Sequence, residues 1–269
     1  MTINMNSPLE FKKYIVTSKS EIAPDCVLLD LKGKFKFEPG QFVQIRLPHI
    51  GEATYAPCSK NTVNNGFSIC VRACGNVSSQ LIETQIGDSL LVRGPYGKSW
   101  PIGKIIGKNI LIIAGGMGIV PLIPFMYDLE NYKKEFGKIS VLIGFKNPDQ
   151  VLFEDKIKRF KKKFDYLKVA VEKTDSSWWG ENCMITELIE KISISKDTIV
   201  LICGPEPMYK PVIKILERKK IALKNIYASF ERRMECGVGF CQHCNIGKYK
   251  VCEDGPIFRW DKIISELNK

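Results

Sequence analysis

A chain of 269 residues, 45% hydrophobic and 26% charged, is long enough for two domains, and its composition excludes a disordered, fibrous or disulfide-stapled small protein. No apolar run is long enough to span a bilayer and nothing in "MTINMNSPLEF" reads as a signal peptide, so the expectation is a cytoplasmic chain without membrane partners. The net charge of +11 raises nucleic acid as a partner, but the densest basic run, "KIKRFKKKF" over 156–164, carries Ile157, Phe160 and Phe164 at helical spacing. It predicts an amphipathic helix with a solvated basic face, the alternative being a docking surface for an acidic partner. With no secretory signal, the 10 cysteines predict thiols and metal ligands before bridges.

The first hundred residues read as strands. "QFVQIRL" puts Val43, Ile45 and Leu47 on one face, "FSICVR" does the same with Phe67, Ile69 and Val71, and Asn64-Asn65-Gly66 is a hairpin-type turn signal. "SLLVRGPYG" predicts a strand ending in a Gly-Pro turn. Short strands punctuated by Gly, Pro and Asn predict a small antiparallel β-barrel over residues 1–104. Within it, "YAPCS" offers the Ser59 hydroxyl, and "CVRACGNVSSQL" offers the Arg72 cation and a turn from Gly75 to Ser78 with N–H groups to spare. That is equipment for a flavin edge and a diphosphate, and equally for ordinary barrel turns.

Residues 105–230 change texture. "NILIIAGG", "KISVLIGF", "YLKVAVE", "TIVLICGP" and "NIYASFE" are apolar runs separated by helix-like stretches such as "PFMYDLENYKKEF" and "MYKPVIKILERKK". They predict an α/β domain on a parallel sheet, with ligands at the C-terminal strand ends. The first run ends in "IIAGGMGIVPL", where Gly115, Gly116 and Gly118 let a backbone approach an anion and the next helix turns its N–H groups the same way. A pyrophosphate site and a merely tight strand-to-helix turn both fit, because Pro121 stands where a dinucleotide fingerprint has its third glycine. On the same sheet edge "CGPEPM" gives Cys203, Gly204 and Pro205, a small floor suited to a flat ring or simply another strand-end turn. Lys146, after "VLIGF", would meet an adenosine ribose or its 2′-phosphate.

The last segment, 231–269, holds Cys236, Cys241, Cys244 and Cys252 as C-x4-C-x2-C-x7-C and closes on a helix-like "WDKIISEL". The C-x4-C-x2-C core matches a plant-type 2Fe-2S loop, and the short run to the fourth cysteine keeps a structural zinc clasp open. His243, inside the x2 gap, is expected to point away from the metal.

Barrel, "AGGMGIVP", "CGPEPM" and the tail "ERRMECGVGFCQHCNIG" with "VCEDGPIF", in that order, resemble the ferredoxin-NADP reductase superfamily. The tail resembles the branch of the anaerobic sulfite reductases and of the sulfhydrogenase (nickel-iron hydrogenase) gamma subunit, with the electron transfer subunit of dihydroorotate dehydrogenase a more distant relative. The resemblance implies FAD in the barrel, NAD(H) or NADP(H) on the α/β domain, and a 2Fe-2S cluster on the four tail cysteines. It places Ala56, Pro57, Cys58 and Ser59 at the flavin ring, with Cys70, Val71, Arg72, Gly75, Asn76, Val77 and Ser78 along the rest of FAD. It places Gly115, Gly116, Gly118, Ile119 and Pro121 at the nicotinamide cofactor's pyrophosphate, and Cys203, Gly204, Pro205 and Met208 at its nicotinamide. Cys203 and Ser59 are the expected polar groups beside the hydride path. The superfamily's Arg-x-Tyr-Ser flavin motif is reduced here to Ala56-Pro57-Cys58-Ser59, which leaves Arg72 as the substitute cation. The implied activity is that of an NAD(P)H-linked electron-transfer subunit serving a catalytic partner subunit. The alternatives are a stand-alone NAD(P)H:ferredoxin reductase and a non-catalytic zinc module binding nucleic acid.

Overall fold

The computed structural model describes residues 7–61, 66–174 and 177–267, so Asn64 and Asn65 of the expected turn lie outside the described residues. Contacts divide the chain into two compact units, one running up to Ser99 and including Glu231–Pro256, the other Trp100–Phe230 together with the chain from Ile257 on.

The first unit is built from β1 (Lys12–Ala23), β2 (Cys26–Lys32), β3 (Phe42–Leu47), β4 (Gly51–Tyr55), β5 (Phe67–Arg72), α1 (Asn76–Glu83) and β6 (Ser89–Tyr96). The strands form one six-stranded sheet in the order β4-β3-β6-β1-β2-β5, antiparallel at each pairing. Its edges meet through a bridge between Pro57 and Ile69, reinforced by the Cys58 N–H donating to the Ser68 carbonyl at 2.8 Å, which closes the barrel. Inside, Tyr14, Phe35 and Phe67 pack ring to ring, Phe35 and Phe67 at 4.4 Å between centroids. Burying each such ring contributes about 2 kcal/mol, and the alternation read from the sequence puts them there.

Two details depart from the sequence pattern. The strand expected to stop at Gly94-Pro95 continues through that cis peptide to Tyr96, because Tyr96 pairs with Phe42 across β3. On β3, Val43 and Ile45 are buried as expected, but so is Gln44 between them, since the opposite face of this strand is covered as well.

The second unit holds β7 (Ile110–Gly115), α2 (Ile123–Asn131), β8 (Ile139–Phe145), α3 (Glu154–Lys161), β9 (Tyr166–Val171), β10 (Glu181–Asn182), α4 (Ile185–Lys191), β11 (Ile199–Cys203), α5 (Glu206–Arg218) and β12 (Ile226–Ser229). β7 is buried along its whole length and β11 likewise, as strands covered on both faces must be. The basic run forms α3 as expected, with Ile157 and Phe160 buried and Phe164 stacked on Phe160 at 5.4 Å.

After β12 the chain returns to the barrel unit as a cysteine-rich segment with a small hairpin, β13 (Asn245–Ile246) and β14 (Tyr249–Lys250), and a short turn of helix, α6 (Val251–Asp254). It then rejoins the second unit as β15 (Ile257–Arg259) and α7 (Trp260–Leu267). The second sheet runs β10-β9-β8-β7-β11-β12-β15, parallel from β10 to β12, while β15 pairs antiparallel with β12. Strands β8 and β9 build outward on one side of β7 and β11 and β12 on the other, so β7 and β11 flank the point where chain order reverses, where such sheets bind ligands. Among the described residues no helix is long and apolar enough to cross a membrane.

Candidate cofactor sites

The cysteine-rich segment brings its thiols together in two pairs. The Cys236 and Cys241 thiols interact with each other, and the Cys241 N–H donates to Cys236 Sγ at 3.4 Å. Cys244 and Cys252 repeat the arrangement, with the Cys252 N–H donating to Cys244 Sγ at 3.5 Å. Val238 N–H points at Cys236 Sγ at 3.5 Å and Gly239 N–H at Cys252 Sγ at 3.2 Å, so the loop between the first two cysteines serves both pairs. Burial, and then the bond to Cys244, push the Cys252 thiol up to about 12, whereas backbone N–H groups, that of His243 first, hold the Cys241 thiol below its ordinary range.

Two pairs of thiols with backbone donors aimed at sulfur are what two bridged irons need, one pair to each iron. A single zinc would draw all four sulfurs to about 2.3 Å of one point. Among the described residues, the three potential ligand atoms gathered within 4.8 Å of one another are instead those of Glu235, Cys241 and His243. His243 is turned to Glu235, Nδ1 to Oε2 at 3.1 Å, with half its side chain exposed. The donor set fits a 2Fe-2S cluster.

What holds this segment to the barrel is Arg93 on β6, a residue that no local motif singles out. Its side chain is 4% exposed and ion-paired with Glu52 of β4 at 2.8 Å. The same guanidinium donates to the carbonyls of Cys236 and Glu235, the latter at 2.8 Å, and lies over the rings of Phe11 and Tyr96. One fork therefore ties the barrel wall to the backbone of the first cysteine. Gly237, at φ 74°, completes the seat, because a Cβ there would come within 3.2 Å of the Tyr96 ring.

On the barrel's other seam, Pro57 and Cys58 are buried against β5 and the Cys58 thiol donates to the Ser68 carbonyl at 3.4 Å. Ala56 and Ser59 are half-buried, and Ser59 Oγ accepts the Ser68 N–H at 3.1 Å, which leaves its own proton to donate. Cys70 and Val71 are buried in β5, and the Cys70 thiol lies 3.3 Å from that of Cys26. Arg72, half-buried at the end of β5, hydrogen-bonds the Cys26 thiol. Gly75 N-caps α1, Ser78 Oγ accepts the N–H groups of Cys74 and Gly75 at 2.9 Å each, and Asn76 and Val77 present the next N–H groups of the helix start. Nothing lies within 4 Å of where a Cβ of Gly75 would stand, so a diphosphate has room there beside a positive helix end. These residues fit FAD.

In the α/β unit the two glycine motifs meet. Cys203 at the end of β11 is in register with Ala114 of β7, and a Cβ at Gly118 would sit 2.2 Å from the Cys203 carbonyl oxygen. Gly118 is thus explained by the close crossing of two strand ends, the bland reading of its motif. Gly115 packs on Pro205 and Met208 in the same way. Gly116 differs, being half-buried with open space where its Cβ would point. Residues 116–122 form a 3-10 turn that contains Ile119 and Pro121, and α2 starts directly after it. Gly204 lies against Gly115, Pro205 is exposed, and Lys146 is exposed just past β8. The open side of Gly116 fits the backbone approach a pyrophosphate requires.

Comparison with known proteins agrees with the division of labour. Residues 13–100 match an oxidoreductase FAD-binding domain, 112–214 an oxidoreductase NAD-binding domain, and 231–264 the iron-sulfur cluster binding domain of dihydroorotate dehydrogenase B. Sulfhydrogenase 1 subunit gamma of Pyrococcus furiosus is 35% identical over 88% of this chain and 84% of its own. A probable dihydroorotate dehydrogenase B (NAD(+)), electron transfer subunit, of Thermococcus kodakarensis is 32% identical over 92% of this chain and 95% of its own. Among solved structures, an NADH-dependent reduced ferredoxin-NADP oxidoreductase studied for flavin-based electron bifurcation superposes with a TM-score of 0.76 at 25% identity, over 94% of this chain and 92% of that one.

Proposed function

The chain belongs to the ferredoxin-NADP reductase-like family, among the sulfhydrogenase gamma and dihydroorotate dehydrogenase B electron transfer subunits, and on that premise we propose that it relays electrons between NAD(P)H and a catalytic partner subunit. The observation that carries this reading is the pairing of Cys236 with Cys241 and of Cys244 with Cys252 inside the same compact unit as the FAD-binding barrel. FAD, when bound, exchanges two electrons with a nicotinamide and single electrons with an iron-sulfur centre.

The protein's own tasks are binding, orientation and electrostatics. Residues Ala56 to Ser59 line the flavin ring, with the Ser59 hydroxyl free to donate to it. Cys70 to Arg72 and Gly75 to Ser78 hold its diphosphate and the rest of its length. Gly115 to Pro121, with Gly116 open, receive the nicotinamide cofactor's pyrophosphate; Cys203, Gly204, Pro205 and Met208 line its nicotinamide, and Lys146 meets its adenosine end. The four tail cysteines carry the cluster. Functionally the chain is then three segments, 1–104, 105–230 and 231–269. Phe240, 76% exposed between Gly239 and the ligand Cys241, gives a partner an apolar contact beside the cluster, which favours the subunit reading over a stand-alone reductase.

Oxygen-free purification with added FAD, followed by viologen reduction driven by NADH or NADPH, tests this reading. Reduction by at least one nucleotide, together with iron and acid-labile sulfide, is expected; a colourless protein with stoichiometric zinc and no dye reduction refutes it. A copurifying catalytic subunit separates the relay from a self-sufficient reductase.

A further inference from the structure

Gln44 presents a problem that the protein's own contacts do not solve. The residue has no exposed surface, and among the described residues neither its Nε2 nor its Oε1 has a hydrogen-bond partner. A buried, unsatisfied amide is costly, and native chains retain one where something outside the polypeptide completes it.

The surroundings narrow what that is. Gln44 lies opposite Arg93 across β3 and β6, and Arg93 is already committed to Glu52 and to the carbonyls of Glu235 and Cys236. The Tyr96 hydroxyl donates to the Pro8 carbonyl. Val43 and Ile45, its strand neighbours, are apolar and turned to the barrel interior. Above Gln44 lies the cysteine loop: a Cβ placed on Gly237 would be 3.5 Å from Gln44 Cγ, and Gly237 follows the first cysteine directly. A primary amide brings two N–H groups and no charge, which suits an electron-rich sulfur atom.

We propose that Gln44 donates an N–H to sulfur of the iron-sulfur centre held by Cys236, and so acts as a positioning residue by which the barrel raises the centre's reduction potential. The inference rests on the cluster assignment made above. Hydrogen bonds to sulfur stabilise the more negative, reduced state, so removing one lowers the potential.

The test compares the complete chain with Gln44→Met, which keeps length and loses the donor, and Gln44→Glu, which keeps shape. Iron and sulfide analysis, electron paramagnetic resonance and a redox titration monitored by that signal are run on the same oxygen-free preparations. Both variants are expected to keep full iron and sulfide. In Gln44→Met the reduction equilibrium should become about tenfold less favourable, which is about 59 mV for a one-electron couple. Gln44→Glu should fall at least as far, and further as pH rises and its carboxyl ionises. Unchanged potentials and unchanged resonance positions in both variants, with the cluster intact, overturn the proposal. Loss of the cluster in both also overturns it, since Gln44 would then be scaffold alone. Wild-type protein without sulfide sinks the functional reading itself, a distinguishable result.

Discussion

The two units solve the same task, holding a redox group, by opposite means. In the α/β unit everything relevant stands at one sheet edge, where β7 and β11 run in register and their following loops touch, so each motif sits within a few residues of the strand that positions it. In the barrel unit the cysteine-bearing segment is fixed to β6 by Arg93 across 142 and 143 sequence positions. Local motifs therefore report faithfully on the α/β unit. In the barrel unit they report the ligands and are silent on what holds the ligands in place.

The largest effect should separate the units by chemistry. Cys252→Ser removes one member of a thiol pair and should abolish acid-labile sulfide and viologen reduction, while NAD(P)H still bleaches bound flavin. Cys203→Ser, at the other unit's strand end, should leave iron and sulfide at wild-type content. Sulfide that survives the first change, or disappears with the second, would dissolve the contrast.

Next comes the tether. Arg93→Met leaves Glu52 and two carbonyls without their donor in a covered site, and should cost about 3 kcal/mol in denaturant unfolding, with faster loss of iron to a chelator. Arg93→Lys keeps the charge and loses the fork, so it should recover only part of that stability. Equal unfolding midpoints for wild type and Arg93→Met would show that the segment is held by packing instead.

A smaller effect belongs to the local grammar. Gly118→Ala forces a methyl group to within 2.2 Å of the Cys203 carbonyl oxygen and should destabilise the α/β unit by about 2 kcal/mol, measurable by thermal unfolding. Gly116→Ala meets no atom but keeps φ at 51°, and should cost about 1 kcal/mol while raising KM for the nicotinamide more than Gly118→Ala does. A reversed order of KM would mean that the nucleotide does not approach the open side of Gly116.

The parallel run of strands, the barrel alternation and the cysteine spacing are all legible in the sequence, because period, turn residues and metal-ligand spacing are short-range properties. The antiparallel β15 and the burial of Gln44 are not. β15 comes from a stretch of 3 residues with no periodicity to read, and its place beside β12 depends on the chain leaving the sheet for the cysteine segment and returning. Gln44 looks like the polar half of an alternating strand, and only the folded segment over Gly237 makes that half an interior. Arg93 escapes for the same reason: one arginine in "LVRGPYG" carries no local mark of a partner more than a hundred positions away.

The smallest effect tests the basic run, whose charge invites a nucleic-acid or acidic-partner reading. On α3 the apolar positions are spent inward on Ile157 and Phe160, and the exposed Lys158 pairs with Glu154 at 2.6 Å, a solvated surface pair that adds little to stability. Lys156 lies over the Phe153 ring and Lys161 over that of Trp179, contacts that use the aliphatic stems as much as the charges. Replacing Lys156, Lys161, Lys162 and Lys163 together by Gln should move unfolding free energy by no more than about 0.5 kcal/mol. Viologen reduction should be unchanged at both low and high salt. If instead the rate of electron delivery to a copurified partner drops at low salt, where wild type is fastest, the helix is a docking face, and the α/β unit would, like the barrel unit, owe part of its function to a contact that no local pattern announces.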